Sequence, residues 1–470
     1  MFGDKLYLEF GGKLFDDYHA SRVLPGFAPD SKISMLKQLT DEAEVVVVIN
    51  AGDIEKNKIR GDLGITYDMD VLRLIDAFRG YGLYVSSVVL TRFENQANAI
   101  AYQKKLEGLG LKVYRHYPIN GYPSNIPVIL SEEGYGRNDF IETTRRLVVV
   151  TAPGPGSGKM ATCLSQLYHE HKRGVKAGYA KFETFPVWSM PLKHPVNLAY
   201  EAATVDLEDV NMIDPYHLEA YGTIAVNYNR DVEIFPVLNQ ILTSIIGESP
   251  YKSPTDMGVN MIGDCIMDDA VVRDASCREI IRRYYNVACQ VRTANAEPQQ
   301  LTKLEFVMEQ AHVSLENRKV AVLANKVAEE TGMPAAAIEM NDGTLIAGKT
   351  SELLGASSAM LLNALKYLAG IPKEVKLISP LVIEPICNLK TTHLGHKNPR
   401  LHVGEVLLAL SICALTDINA RNALQKLDDL RCCEVHTSVI LSSNDVATLK
   451  KLGVNLTSDP KYQTKKLYHA

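Results

Sequence analysis

The chain has 470 residues, 46% of them hydrophobic and 22% charged, with a formal net charge of −5. One hydrophobic core stops growing at roughly 250–300 residues, so about three domains are expected, and nothing in the composition suggests disorder or a fibrous repeat. So small a net charge excludes a whole-molecule field that would hold nucleic acid or an anionic membrane, which leaves small molecules or proteins as partners, a homo-oligomer among them. The amino terminus has no basic region followed by a long apolar run, and no stretch reaches the ~18 charge-free apolar residues that span a bilayer. A cytoplasmic protein is expected. The eight cysteines are scattered without a CxxC pair, as core thiols in a reducing compartment would be.

From residue 44 onward, short apolar runs alternate with helical ones. EVVVVINAG reads as a buried strand, DMDVLRLIDAFRGYG as an Asp-capped helix ending at glycine, and YVSSVVLTR as a strand. A helix over NQANAIAYQKKLEGLG, strands over KVYRHYPI and RLVVVTAPG, a helix over MATCLSQLYHEHKRG and a strand over AGYAKFETFPV follow. This order implies βαβ units, hence a three-layer α/β domain with a mostly parallel sheet, assigned to residues 1–234. Residues 235–331 are dominated by helical runs such as SCREIIRRYYNVACQV and the long stretch from Gln299 to Gly332, and form a mainly helical segment. A smaller α+β domain over 332–470 opens with a hairpin turning at Asp342-Gly343, then a helix over SAMLLNALKYLAG. VKLISPLVIEP reads as a strand of that domain, and helices and strands alternate to its end.

The chemistry centres on LVVVTAPGPGSGKMATCLSQLYHEHKRG, residues 147–174. A P-loop, GxxxxGK[ST], wraps phosphates in successive backbone N–H groups, bridges the terminal ones with lysine and offers a hydroxyl to Mg²⁺. Gly154, Gly156, Ser157, Gly158 and Lys159 supply an unobstructed backbone and the lysine. Pro153 stands where the first glycine belongs, and Met160 where the hydroxyl belongs. A strand before and a helix after favour an anion site, since the helix N-terminus adds about half a positive charge. A sharp strand-to-helix turn with no ligand is the alternative. Thr162, two residues beyond Met160, is turned roughly 200° from the phosphate side and does not replace the missing hydroxyl. Any Mg²⁺ therefore needs a carboxylate from elsewhere, with Glu183, Asp53 and Asp256 as candidates.

YAKFETFPVW places Lys181 and Glu183 near the carboxyl edge of a parallel sheet, where ligands collect. The polar loop NAGDIEKNKIRGDLGITYD contributes Asp53, Lys56, Lys58, Arg60 and Asp62 at the same edge. Arg137, Asn227, Asn229 and Arg230 are further candidates, and Asp256, Asp264, Asp268 and Asp269 mark an acidic stretch that helix capping also explains. His393, His396 and His402 fall within ten residues but lack a metal-binding spacing, and adjacent Cys432-Cys433 do not make a paired ligand set. The hairpin and helix over 337–369 resemble the start of a deaminase-like domain, without the zinc-holding residues. No zinc is expected.

The loop arrangement is similar to that of ATP-using synthetases of the dethiobiotin synthetase kind, a likeness of fold that names no substrate. The strings LYLEFGGKLFDDYHASRVLPGF, TAPGPGSGKMATCLSQLYHEHKRG, AKFETFPVW and SPTDMGVNMIG resemble, over essentially the whole chain, an uncharacterised bacterial protein family known only as a domain of unknown function. Its members begin with a further short helical segment ahead of the position of Phe2. The resemblance implies a multidomain α/β protein and brings no reaction. The expectation is a nucleotide- or phosphate-ligand-binding enzyme using ATP and Mg²⁺ for phosphoryl transfer or ligation. Gly154, Gly156, Ser157, Gly158 and Lys159 would hold phosphate, and Lys181, Glu183, Asp53 and Arg60 would line the acceptor pocket. A non-catalytic binder of a phosphorylated metabolite, or a structural oligomer with an empty turn, are the alternatives.

Overall fold

Runs of β-branched residues build the central sheet. The computed structural model describes residues 4–60, 63–260 and 262–464. Strands β1 (Lys5–Phe10), β2 (Ala43–Asn50), β3 (Tyr84–Thr91), β4 (Lys112–Arg115), β5 (Leu147–Thr151), β6 (Ala177–Phe182) and β7 (Gly258–Val259) pair in the order β7-β6-β1-β5-β2-β3-β4. Every pairing is parallel. Strand β2 is buried continuously from Ala43 to Ile49, as expected where both faces are covered. Its alternation divides the core: Val45, Val47 and Ile49 pack with Val71, Phe78 and Leu106, while Val46 and Val48 pack with Val150, Leu164 and Phe235. The first face is covered by α1 (Tyr67–Gly80) and α2 (Ala97–Gly108), the second by α3 (Lys159–Lys172) and α4 (Asn229–Ile246).

The chain order sets a divergence. From β2 the chain moves through β3 to β4 at one edge, whereas from β5 it moves to β6 and β7 at the other. The connections leaving β2 and β5 therefore part in opposite directions, which opens a crevice at their carboxyl ends.

The contacts divide the chain into two compact units, Met1–Thr204 with Glu208–Ser276, and Val205–Leu207 with Cys277–Ala470. The expected boundaries at 234 and 331 do not coincide with this division, which falls inside the helix α5 (Asp269–Arg292). The reason lies in α4, whose Phe235, Leu238, Ile241 and Leu242 complete one face of the central sheet. The long helical run after Gln299 breaks into α6 (Pro298–Gln310) and α7 (Lys319–Thr331). In the second unit β8 (Ala335–Glu339), β9 (Leu345–Lys349), β10 (Glu434–Thr437) and β11 (Asn455–Ser458) pair in the order β9-β8-β10-β11. The first two pairings are antiparallel and the last parallel. Gly343 takes φ +84° in the expected hairpin turn, and α8 (Ala356–Leu368) packs Met360, Leu361 and Leu365 against Val435 and Leu410.

One strand precedes the alternation read from residue 44, and two expectations need correction. Strand β1, which precedes residue 44, lies between β5 and β6 in the middle of the sheet. VKLISPLVIEP is not a strand: Ser379 caps Leu381 N–H and Pro380 starts a helix, α9 (Pro380–Asn388), where its fixed φ costs nothing. Helix α1 begins at Tyr67 after Thr66, with Asp68 and Asp70 in its first turn rather than at its cap. Among the described residues no helix is long and apolar enough to cross a membrane, and all eight cysteines are free.

Phe78 is fully buried on α1 against β2. Phe78→Ala is expected to destabilise the first unit by about 3–5 kcal/mol, read as an earlier urea transition by tryptophan fluorescence of Trp188, which belongs to that unit. An unchanged transition would show that this face of the sheet is not packed as described.

Candidate functional site

The crevice between β2 and β5 is where the glycine loop lies. Beyond Thr151 the backbone turns through Ala152–Gly158 into α3, and it needs glycine at two places for its conformation: Gly156 at φ +72° and Gly158, the N-cap, at φ +92°. Gly154 is required for a different reason, since a Cβ there would fall 2.5 Å from the Tyr67 hydroxyl. The loop carbonyls are held by side chains. Ser157 Oγ donates to Gly154 O at 2.8 Å, Thr91 Oγ1 donates to Ser157 O at 2.6 Å, and Asn50 Nδ2 reaches Gly156 O at 3.5 Å. Asn50 and Thr91 are the last residues of β2 and β3. The first helical N–H to bond backwards is Thr162, to Gly158 O at 2.9 Å. Among the described residues, the N–H groups of Gly156, Ser157, Gly158, Lys159, Met160 and Ala161 have no acceptor. These are the orphan donors of a helix start, lying where its dipole favours an anion.

Lys159 opens α3 and has no carboxylate partner among the described residues. Thr162 is fully buried, its Oγ1 3.5 Å from His116 Nδ1, on the side away from the loop donors as the helical turn requires.

Two strands away, a buried charge network closes the same edge. Lys181, on β6, is 3% exposed, and its Nζ lies 2.6 and 2.5 Å from the two carboxylate oxygens of Asp231 in the first turn of α4. Glu183 Oε1 lies 3.9 Å from the same nitrogen and accepts from the Tyr228 hydroxyl at 2.7 Å. Glu9, near the end of β1, pairs in register with Lys181 and accepts from the Tyr179 hydroxyl at 2.7 Å. Burial alone would pull Lys181 down, but the facing carboxylates of Asp231, Glu183 and Glu9 outweigh it and hold the ammonium charged. Glu183 is pushed up to about 7, by burial first and then by Asp231 and Glu9, against the opposing pull of Lys181 and Tyr228. The Gly11 backbone passes so close that a Cβ there would fall 2.8 Å from Glu183 Cγ. A group that exchanges its proton near neutrality beside a fixed cation can handle protons in a reaction.

The other expected residues divide sharply. Arg60 is buried and donates to Asp70 Oδ2 at 2.6 Å, while Arg73 takes Asp70 Oδ1 at 2.8 Å. Its guanidinium is held in that buried ion pair. Asp53 is in the short helix after β2, 3.5 Å from Lys58 Nζ; Lys56 is exposed, and Asp62 lies outside the described residues. Arg137 stacks on Tyr117, Arg230 makes a two-point contact with Asp209, and Asn229 accepts from Val210 N–H. Asp256 Oδ2 accepts from the Tyr221 hydroxyl and from Lys252 and Ser253 N–H, a turn-capping role. Asp264 is exposed, Asp268 caps the start of α5, and Asp269 pairs with His194 and Arg273. His393 and His396 are exposed while His402 bonds Asp445, so the three histidines do not converge. Sequence reasoning missed Glu9, Asn50, Tyr67, Thr91 and Asp231. Asn50 and Thr91 were legible as strand-terminal residues; Asp231 was not, because only α4's packing brings it to Lys181.

Two further cavities, of about 570 and 510 Å³, belong to the second unit. Both have mainly apolar walls, the first with Tyr284, Tyr285 and Leu301, the second with Leu354, Leu362 and Ile378.

Residues 1–312 match the family model described as domain of unknown function DUF1846, N-terminal, and residues 316–468 match its C-terminal counterpart. The chain is also similar to UPF0371 proteins of several bacteria. One from Corynebacterium diphtheriae is 60% identical over 99% of this chain and 94% of its own length. Others from Corynebacterium glutamicum and Streptococcus uberis are 58% and 56% identical over the same shares.

Because the folded Glu183 titrates near 7 against an ordinary 4.5, the folded state holds more protons than the unfolded one between these values. Stability attributable to this group therefore falls as pH rises from about 4.5 to about 7, and is level above. Glu183→Gln is expected to gain on the parent across that window by on the order of 1–3 kcal/mol, measured by urea unfolding at pH 5 and pH 8. A parent–variant difference that is the same at both pH values would refute the buried-carboxyl assignment.

Proposed function

We propose that this chain, which belongs to the DUF1846 family, binds a phosphorylated small molecule, a nucleotide such as ATP, at the glycine loop. The observation that carries the proposal is the run of acceptorless N–H groups from Gly156 to Ala161, at the point where the connections from β2 and β5 diverge. A tight turn needs glycines; it does not need its carbonyls fixed by Asn50, Ser157 and Thr91 while its donors stay unpaired. Lys159 supplies the charge-assisted donor that neutral amides cannot match.

The network of Lys181, Glu183 and Asp231 supports an acceptor pocket at the same edge, and so phosphoryl transfer or ATP-driven ligation on a small metabolite. In that chemistry the loop and Lys159 hold phosphate, Lys181 fixes positive charge, and Glu183 takes or returns a proton of the acceptor. Asp231 acts through Lys181, holding its ammonium in place, and is a positioning residue. Asp53, in the short helix that follows β2, would meet the ligand's distal part; Arg60 has no part in this reading. The partner is a small phosphorylated molecule, within a cytoplasmic protein.

Titration calorimetry with ATP and with pyrophosphate tests the loop. Lys159→Ala is expected to weaken binding by about 10- to 100-fold. Thr162→Ala, whose side chain faces His116, is expected to stay within about twofold of the parent. Unaltered affinity in Lys159→Ala would reduce the loop to a connection between strand and helix.

A further inference from the structure

The cavity of about 510 Å³ in the second unit has the volume of a small-molecule site. One side of α8 forms much of its wall. Ala359, Leu362, Asn363 and Lys366 follow one another at helical spacing and share a face of that helix. Leu354, Ile378 and, from α9, Ile383 complete the apolar lining.

Two ammonium groups belong to this apolar wall. Lys366, in the last turn of α8, is partly buried, and its Nζ donates to the Lys373 carbonyl at 2.9 Å. That is its one hydrogen bond among the described residues, and an ammonium has three donors. Neither Lys366 nor the exposed Lys376 has a carboxylate at ion-pair distance among the described residues. The protein pairs its other sequestered lysines: Lys5, Lys32, Lys181 and Lys390 each meet a carboxylate at 2.7 Å or less. Burial draws the Lys366 ammonium down from the ordinary lysine range, and Glu374, which does not bond it, opposes this only in part. A partly desolvated cation with donors to spare favours an anion beside it.

The lining selects the kind of anion. Glu352 is the single carboxylate among the described lining residues and is exposed, so two lysines leave one positive charge in excess, which suits a monoanion. The same residues include no arginine to grip a phosphate in a bidentate fork and no ring on which an aromatic body would stack. Aliphatic walls with one excess ammonium fit a carboxylate at the end of a hydrocarbon chain. We propose that this cavity binds an aliphatic monocarboxylic acid, with its carboxylate against Lys366 and its chain along Ala359, Leu362 and Ile383. The site belongs to the second unit and does not depend on the glycine loop.

Titration calorimetry of the full chain with hexanoate, octanoate and octanol tests the proposal. Octanoate is expected to bind about tenfold more tightly than hexanoate, since each buried methylene adds about three- to fourfold. It should also bind at least about tenfold more tightly than octanol, which lacks the charge. Lys366→Met keeps a linear side chain without the ammonium and should lose at least about tenfold in octanoate affinity, with octanol unchanged. Lys376→Met, at an exposed position, should lose about threefold or less. Ala359→Leu places bulk in the cavity and should weaken octanoate and octanol alike, with the urea transition of the parent retained. The alcohol comparison and Ala359→Leu decide the matter if Lys366→Met does not fold. The proposal is overturned if octanoate does not bind the parent or octanol binds as tightly as octanoate. Parent-like octanoate affinity in either Lys366→Met or Ala359→Leu overturns it equally.

Discussion

Parallel pairing of β5 with both β1 and β2 is the constraint on which the rest of the first unit depends. Parallel strands cannot be joined by tight turns, so every return crosses the sheet through a helix or a long connection, and all carboxyl ends collect at one edge. The glycine loop, Asn50, Thr91, Glu9 and Lys181 reach that edge from five different strands. Their meeting is a property of strand order. The same arrangement makes β1 and β5 interior strands buried on both sides, which is why Tyr7, Val148 and Val149 are fully buried.

Buried charge is the second organising feature, and it serves two ends. Arg60 and Arg73 share the fully buried Asp70 and tie the loop after β2 to α1. In the second unit Glu434 takes Arg282 through one oxygen and Arg318 through the other. In both, each charge has a partner at hydrogen-bonding distance, so desolvation is offset locally. The network around Lys181 is not balanced in this way. Three carboxylates surround one ammonium, and Glu183, the most weakly compensated, retains its proton to near neutral pH. Excess acid beside the loop is unfavourable to a bare anion and favourable to a group that gives up a proton.

Several elements were legible before any coordinates because their signals are local. The valine run of β2, the glycine-rich turn followed by an amphipathic helix, and the Asp342-Gly343 hairpin each state their conformation within about ten residues, through two-residue alternation, helical periodicity and turn chemistry. VKLISPLVIEP was misread because apolar β-branched residues suit a strand, whereas Ser379 and Pro380 together start a helix whose Ile383 and Cys387 are covered by tertiary packing. Arg60 and Lys181 show the same limit for sites. Both are cations near a sheet edge, and only the carboxylate each one meets, Asp70 from the next helix or Asp231 from a helix fifty residues on, separates a structural ion pair from a candidate site.

The amino-acid sequence by itself determined the α/β class, the strand–glycine-loop–helix with Lys159 at its start, and the absence of a hydroxyl at Met160, since these depend on residue type and near-neighbour spacing. Tertiary structure alone decided that β1 sits between β5 and β6, that Glu9 therefore stands beside the loop, and that α4 carries Asp231 onto Lys181. The physical reason is that strand order and helix docking are set by the total apolar surface a three-layer arrangement buries, a quantity summed over the whole chain and written in no single stretch of it.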